Sequence, residues 1–250
     1  MKDWDINIYR GVLTGFNDAF IISGEKRQEI LNNCTSEDER KRTDELIRPI
    51  LRGRDIKRYS YEYADLYLIA TFPSKHYDIE EYPAVKEYLL SFGMERLEQT
   101  GKKYNGFTAR KKTNNKWFET QDSISYWDEF NKPKIVWGNL NLSATYAFAP
   151  AGMMINAPAT MIVPASKSLL YILNSKLADY YIRNLGVTRN GGYFEYKPMF
   201  IEQLPVPQKL DESIFINFSD KDLHNEKEIN SKVYELYELN EEEISFIERS

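Results

Sequence analysis

Apolar and polar positions along this chain change period several times, and each change marks an element. Residues 8–23, Ile-Tyr-Arg-Gly-Val-Leu-Thr-Gly-Phe-Asn-Asp-Ala-Phe-Ile-Ile-Ser, read as a strand, a glycine-containing turn and a second strand. Residues 25–33 carry helical spacing, 32–41 form a polar loop, and 44–51 make a short helix limited by Pro49. A tyrosine-rich strand centres on residues 66–71. Residues 82–99 place Val85, Leu89, Phe92 and Leu97 on one helical face, with Pro83 suited to the first turn. The polar, basic, turn-rich run 101–116 is expected as an exposed loop, and the aromatic run 117–130 as part helix. Short strands of a meander follow at 134–137, 146–148, 153–156 and 160–163. The clearest helix is 168–185, stopped at Gly186, and Asn190-Gly191-Gly192 is a tight turn leading into 193–196. Leu204-Pro-Val-Pro207 ends the body, and two acidic helices, 228–239 and 241–248, hinge at Asn240. Strands and helices mix without regular βαβ alternation. The expected fold is therefore α+β, a mixed or antiparallel curved sheet with flanking helices. The expected division is a body over 1–207 and an acidic helical tail over 208–250.

Composition narrows the class. The chain has 250 residues, 42% hydrophobic, 28% charged and 14% aromatic, which is the profile of a folded protein and not a disordered one. A single cysteine, Cys34, excludes a disulfide framework and a cysteine metal cluster, and reads as an inert thiol in a reducing compartment. His76 and His224 are far apart, lack ligand spacing and read as surface residues. No charge occurs from 135 to 166, but Pro150, Pro158, Pro164, Gly138 and Gly152 interrupt this run. It is expected as buried strands and turns and not as a membrane span. With no signal-peptide core at the start, the expected location is the cytoplasm.

The net charge of −5 is unevenly placed. Residues 202–250 hold 13 acidic and 5 basic side chains, a net of −8, which leaves residues 1–201 at +3. The acidity belongs to the tail, and the body is mildly basic with dense basic clusters.

Catalytic signatures are absent. There is no nucleophile elbow, phosphate loop, metalloprotease pair or dinucleotide turn. Asn156-Ala-Pro-Ala159 lacks the second proline and the aromatic of an amino-methyltransferase motif. No catalytic residue and no metal ligand is assigned.

Three clusters fit a polyanion instead. Arg48, Arg52, Arg54, Lys57 and Arg58 stand in eleven residues against one acid, Asp55. Arginine forks match phosphate oxygens or a guanine edge, although a solvated turn with Arg54 paired to Asp55 would read the same. Lys102, Lys103, Arg110, Lys111 and Lys112 surround Tyr104, Asn105 and Phe107. There the cations could neutralise phosphate while the amide and rings read or stack on bases; a mobile hydrophilic loop is the plainer account. Arg189-Asn190-Gly191-Gly192 could bring backbone amides close to a phosphate, or be a plain hairpin turn.

Several segments in order resemble the TaqI-like C-terminal specificity domain, the target-recognition domain of adenine-N6 methyltransferases and fused restriction–modification enzymes. They are Arg10-Gly-Val-Leu-Thr-Gly-Phe-Asn-Asp-Ala-Phe-Ile-Ile22, Ile47-Arg-Pro-Ile-Leu-Arg-Gly-Arg-Asp-Ile-Lys-Arg-Tyr59 and Leu66-Tyr-Leu-Ile-Ala70. Asp78-Ile-Glu-Glu-Tyr-Pro-Ala-Val-Lys86, Lys132-Pro-Lys-Ile-Val136, Leu170-Tyr-Ile-Leu-Asn-Ser-Lys-Leu177, Gly191-Gly-Tyr-Phe194 and Ile201-Glu-Gln-Leu-Pro-Val-Pro207 complete the set. The resemblance covers about residues 8–207 and implies sequence-specific recognition of double-stranded DNA in a restriction–modification system. It also implies a partner methyltransferase domain, not in this sequence, that uses S-adenosylmethionine; no cofactor is expected in this chain. The alternative is a protein-interaction or assembly module, or the specificity subunit of a type I-like restriction system. Its feature is the acidic tail, whose Val233, Leu236, Tyr237, Ile244, Phe246 and Ile247 could bury against a partner or against the chain's own body.

Overall fold

The computed structural model describes residues 1, 4–207, 212–215 and 226–250. The body–tail junction at 208 and His224 lie outside the described residues. One four-stranded sheet is antiparallel throughout, in the order Asn7–Arg10, Thr160–Val163, Lys134–Trp137, Tyr146–Ala149. A second runs Met154–Ile155, Ile47–Leu51, Leu66–Ile69, Ile21–Ser23, its first pair parallel and the others antiparallel. Leu140–Asn141, Tyr193–Glu195 and Thr188–Arg189 form a third, small sheet. Helices Gly24–Asn32, Glu37–Leu46, Pro83–Leu90, Lys167–Asn174 and Lys176–Leu185 pack around these sheets, and the class is α+β.

The first sheet is a wall between two cores. Side chains alternate across a strand. Val136, Ala147 and Met161 face a core with Phe20, Ile50, Leu89 and Phe130. Ile135, Trp137, Tyr146 and Ile162 face another with Leu169, Ile172 and Ile182. A sheet buried on both faces needs a nearly continuous apolar sequence, which accounts for the uncharged run 135–166. Among the described residues no helix is long and apolar enough to cross a membrane. Trp137 shows the demand on polar atoms here: fully buried, it donates its indole N–H to the Tyr196 carbonyl at 2.7 Å.

The tail helices Glu226–Leu236 and Glu241–Arg249 pack on Lys167–Asn174 and Lys176–Leu185. Ile229 and Val233 are fully buried in the second core. The apolar face of the first tail helix is therefore spent on the chain's own body. Asn240 caps the last helix with a reciprocal Asn240–Glu243 box, the hinge expected from sequence.

Several expected elements differ. The polar run 32–41 turns helical at Glu37, and the expected helix 44–51 splits into that helix and the strand Ile47–Leu51. The cause is a cap: the Ser36 hydroxyl accepts from Glu39 N at 3.1 Å, while the Glu39 carboxylate accepts from Thr35 N at 2.7 Å. The helix expected over 82–99 breaks at Gly93, φ +87°, into Pro83–Leu90 and Met94–Leu97. The helix 168–185 is two, because Ser175 ends one and caps the next through Ala178 N. Residues 8–23 contain a helical turn, Asn17–Phe20, between their strands. The Gly11 backbone presses so closely on the turn after Met154–Ile155 that a Cβ would lie 2.6 Å from the Ile155 carbonyl oxygen.

Candidate nucleic-acid interface

The three basic clusters lie on three turns that the sheets present. The first follows strand Ile47–Leu51. At its close, Asp55 Oδ2 accepts from Arg52 N and Arg52 Nε, both at 2.9 Å, and Oδ1 accepts from Arg52 Nη2 at 2.7 Å. Burial alone would raise the Asp55 carboxyl pKa, but these hydrogen bonds hold it below the usual carboxylate range. Arg52 is thus committed to the turn. Arg58 is likewise held, by the Asn174 carbonyl at 2.7 Å and Glu226 at 3.3 Å. Arg54 and Lys57 stay exposed, with Lys57 near Glu62 at 3.6 Å and no ion pair for Arg54 among the described residues. Arg54 does not pair with Asp55, whose fork belongs to Arg52. Arg48 lies at the other end of the strand, about 13 Å from Arg52 at strand rise, and donates to Asn131 Oδ1 at 3.0 Å.

The second turn is a hairpin and not a formless loop. Lys103–Tyr104 pairs with Phe107–Thr108 around the tip Asn105–Gly106, where Gly106 has φ +90°. An Asn-Gly pair between aromatic residues is a strong hairpin signal, and the sequence carries it. The Tyr104 and Phe107 rings stack 5.0 Å apart, and the Arg96 guanidinium lies 5.0 Å from the Phe107 ring. Arg96, exposed and unflagged by the sequence clusters, joins this patch. Lys102, Lys103, Lys111, Lys112 and Asn105 are exposed, and none of these lysines has an ion pair among the described residues.

Arg110 corrects the expectation made for it. Its side chain is buried and donates to four carbonyls: Leu97 at 3.2 Å, Trp117 at 3.0 Å, and Thr14 and Glu119 at 2.6 Å each. Burial lowers its pKa to about 10, so it keeps its charge at neutral pH. It is the internal tie of the hairpin and not a hand free for phosphate.

The third turn is Asn190-Gly191-Gly192 between Thr188–Arg189 and Tyr193–Glu195, with both glycines at φ +80° and all three residues exposed. Arg189 pairs with Glu195, and Lys197 reaches the same carboxylate at 2.7 Å. Lys197 and Arg189 together hold the Glu195 pKa below its ordinary value.

A run of direct contacts joins these turns. Arg110 ties the hairpin to Thr14. Three residues back, Gly11 N donates to the Ala159 carbonyl at 2.8 Å. Gly53 packs against Ala159 and Gly138. Asn139 accepts Tyr196 N at 2.9 Å, and Leu140 pairs with Glu195 beside Arg189. These contacts run through buried residues, Thr14, Arg110, Ala159 and Tyr196 among them, and fix the three turns on one body, while Arg48 lines a cavity with other residues.

The α+β scaffold thus carries exposed cations on its turns. The family is shown by its sequence model: residues 48–206 match the TaqI-like C-terminal specificity domain, and the chain belongs to that family. The fold is similar to that of the type IIL restriction-modification enzyme MmeI, solved in complex with DNA, at TM-score 0.62 and 11% identity. That match covers 97% of this chain and 35% of MmeI. It is also similar to the type IIG restriction endonuclease BpuSI, at TM-score 0.52 and 14% identity over 91% of this chain and 25% of that enzyme. The chain thus spans about a third or less of either enzyme's length. No curated protein matches.

Proposed function

We propose that this chain reads a target sequence in double-stranded DNA as the specificity module of a restriction–modification enzyme. Methylation of adenine N6 from S-adenosylmethionine then belongs to a partner domain outside this sequence. The observation that supports the reading is that a TaqI-like specificity domain keeps Arg54, Lys57, Lys102, Lys103, Lys111, Lys112 and the 190–192 turn exposed on its turns. Exposed lysines set the protein on phosphates, whereas Tyr104 and Asn105 at the hairpin tip supply ring and amide groups suited to base edges.

Fluorescence anisotropy of the chain on duplexes across a salt series tests this. About six phosphate contacts give a log–log slope of affinity against salt near −5. A slope near zero, or no binding at low salt, overturns the proposal.

A further inference from the structure

Arg48 stands apart from the exposed cations of the three turns. It lines a separate cavity of about 350 Å³ with Arg42, Lys75, Tyr77, Tyr82 and Trp127, a volume at the lower end of the ~300–1,000 Å³ range of ligand sites. Four elements meet there: helix Glu37–Leu46, strand Ile47–Leu51, the turn Pro73–Lys75 and the turn Trp127–Asn131. Three of the lining residues are cations, and only one, Glu45, is an acid. None of the three cations has a carboxylate within ion-pair distance among the described residues. Arg42 Nη2 donates to the Glu81 carbonyl at 3.2 Å, and its Nε is shut from solvent without an acceptor. Arg48 uses only the Asn131 amide oxygen and, at 3.5 Å, the Gly152 carbonyl. Lys75 Nζ lies over the Trp127 ring, 3.5 Å from its centroid. His76, at φ +52°, turns the chain sharply so that Lys75 and Tyr77 both reach the cavity.

Three cations against one acid give the cavity a net positive charge that favours an anion. The aromatic walls, Phe72, Tyr77, Tyr82 and Trp127, ask for a flat apolar ring beside it. We propose that this cavity binds one nucleotide, its phosphoryl group received by Arg42, Arg48 and Lys75 and its base laid on Trp127. An ammonium over an exposed ring is weakly held, and a charge-assisted bond to a phosphoryl oxygen is stronger. Lys75 therefore leaves the Trp127 face to meet the phosphoryl group, and that face opens to the base. The nucleotide is either free or an unstacked member of a DNA strand, and the site does not require the exposed turns to bind duplex.

The probe is adenosine 5′-monophosphate titrated into the full chain, with adenosine and inorganic phosphate as its halves. The expected result is saturable quenching of tryptophan fluorescence, with affinity at least about tenfold above either half. Trp127→Phe removes the quench. Lys75→Gln and Arg48→Gln each weaken the nucleotide about tenfold, and Lys75→Gln does so without changing the melting temperature or the weak binding of adenosine. Lys75 makes no structural hydrogen bond with its ammonium among the described residues, so its variant keeps the test readable even where Arg48→Gln lowers stability. A nucleotide that binds no tighter than inorganic phosphate, or that ignores both substitutions, overturns the site. A duplex with one unpaired adenosine that displaces the nucleotide assigns the ligand to DNA, and failure of both bulged and perfect duplexes to displace it assigns a free nucleotide. Absence of duplex binding alone would sink the duplex-recognition reading and leave this site standing.

Discussion

The two strongest basic runs of the chain use their charge in opposite ways. Between Arg48 and Arg58, three of four arginines already have partners inside the fold: Arg48 with Asn131, Arg52 with Asp55, Arg58 with Asn174 and Glu226. Between Lys102 and Lys112, all four lysines are exposed and unpaired among the described residues, and only Arg110 is engaged. The division follows side-chain physics. A guanidinium presents five donors in a rigid fork and is weakly hydrated, so it can be buried against several acceptors at once. An ammonium is strongly hydrated and stays in water unless a partner repays the loss. Arginine density here marks scaffold joints, and lysine density marks the surface left for a partner.

Arg110 gives the largest effect. Arg110→Ala strands the Leu97 and Trp117 carbonyls that its guanidinium serves and removes one of two donors from the Thr14 and Glu119 carbonyls, which keep Gln121 N at 3.2 Å and Gln99 Nε2 at 3.1 Å. Leaving buried acceptors unmet costs about 1–3 kcal/mol each before relaxation. With water entering the gap, a net loss of about 3–5 kcal/mol is expected, read as a lower urea midpoint at unchanged slope. Arg110→Lys keeps the charge but not the fork, and should recover only part of it. A loss under about 1 kcal/mol for Arg110→Ala would break the scaffold half of the comparison.

The lysines should behave in the reverse manner. Replacing Lys102, Lys103, Lys111 and Lys112 with Gln should leave stability within about 0.5 kcal/mol, as for exposed surface changes. The same variant should lose on the order of a hundredfold in duplex affinity near 0.1 M salt, and its salt slope should flatten by about 0.9 for each phosphate contact removed. Unchanged affinity and slope would show that this hairpin is not a phosphate contact.

Much of the architecture was legible from period and composition, and the misses have specific causes. The strands of 134–163 were legible because burial on both faces removes every charge after Lys134. The tail hinge was legible because Asn240 and Glu243 form a local box. The helix at Glu37 was hidden by its exposed, charged composition, although Ser36-x-x-Glu39 announces its start. The hairpin tip was hidden inside a basic run, although Asn105-Gly106 marks it. Candidate site residues were legible as cations and not as contacts. Nothing local to Arg110 says that Leu97, Trp117, Thr14 and Glu119 will converge on it, since Thr14 is 96 residues away. For the same reason Arg42, Lys75 and Trp127 never formed a cluster in sequence; only the packing of four elements brings them to Arg48.

The smallest expected effect sharpens the comparison inside the first cluster. Arg52 is partly open to water, while the Asp55 side chain is nearly buried. The pair is therefore worth less than Arg110, and Arg52→Ala should cost about 1–2 kcal/mol at neutral pH. Its pH dependence identifies the cause. The folded Asp55 carboxyl titrates below its ordinary value, so its stabilisation is present above the unfolded pKa of about 3.9. That stabilisation is lost as pH falls through the lower folded-state value. Arg52→Ala removes the hydrogen bonds that depress it, so the gap between wild type and variant should narrow from about pH 4 downward. Arg54→Ala, two residues on and with no ion pair among the described residues, leaves the hydrogen bonds to Asp55 in place and removes only a lesser, coulombic contribution to its low pKa, so it should change stability by less than about 0.5 kcal/mol and weaken duplex binding. If Arg52→Ala and Arg54→Ala instead shift stability alike, the separation of joint from surface fails within the very turn that shows it most plainly.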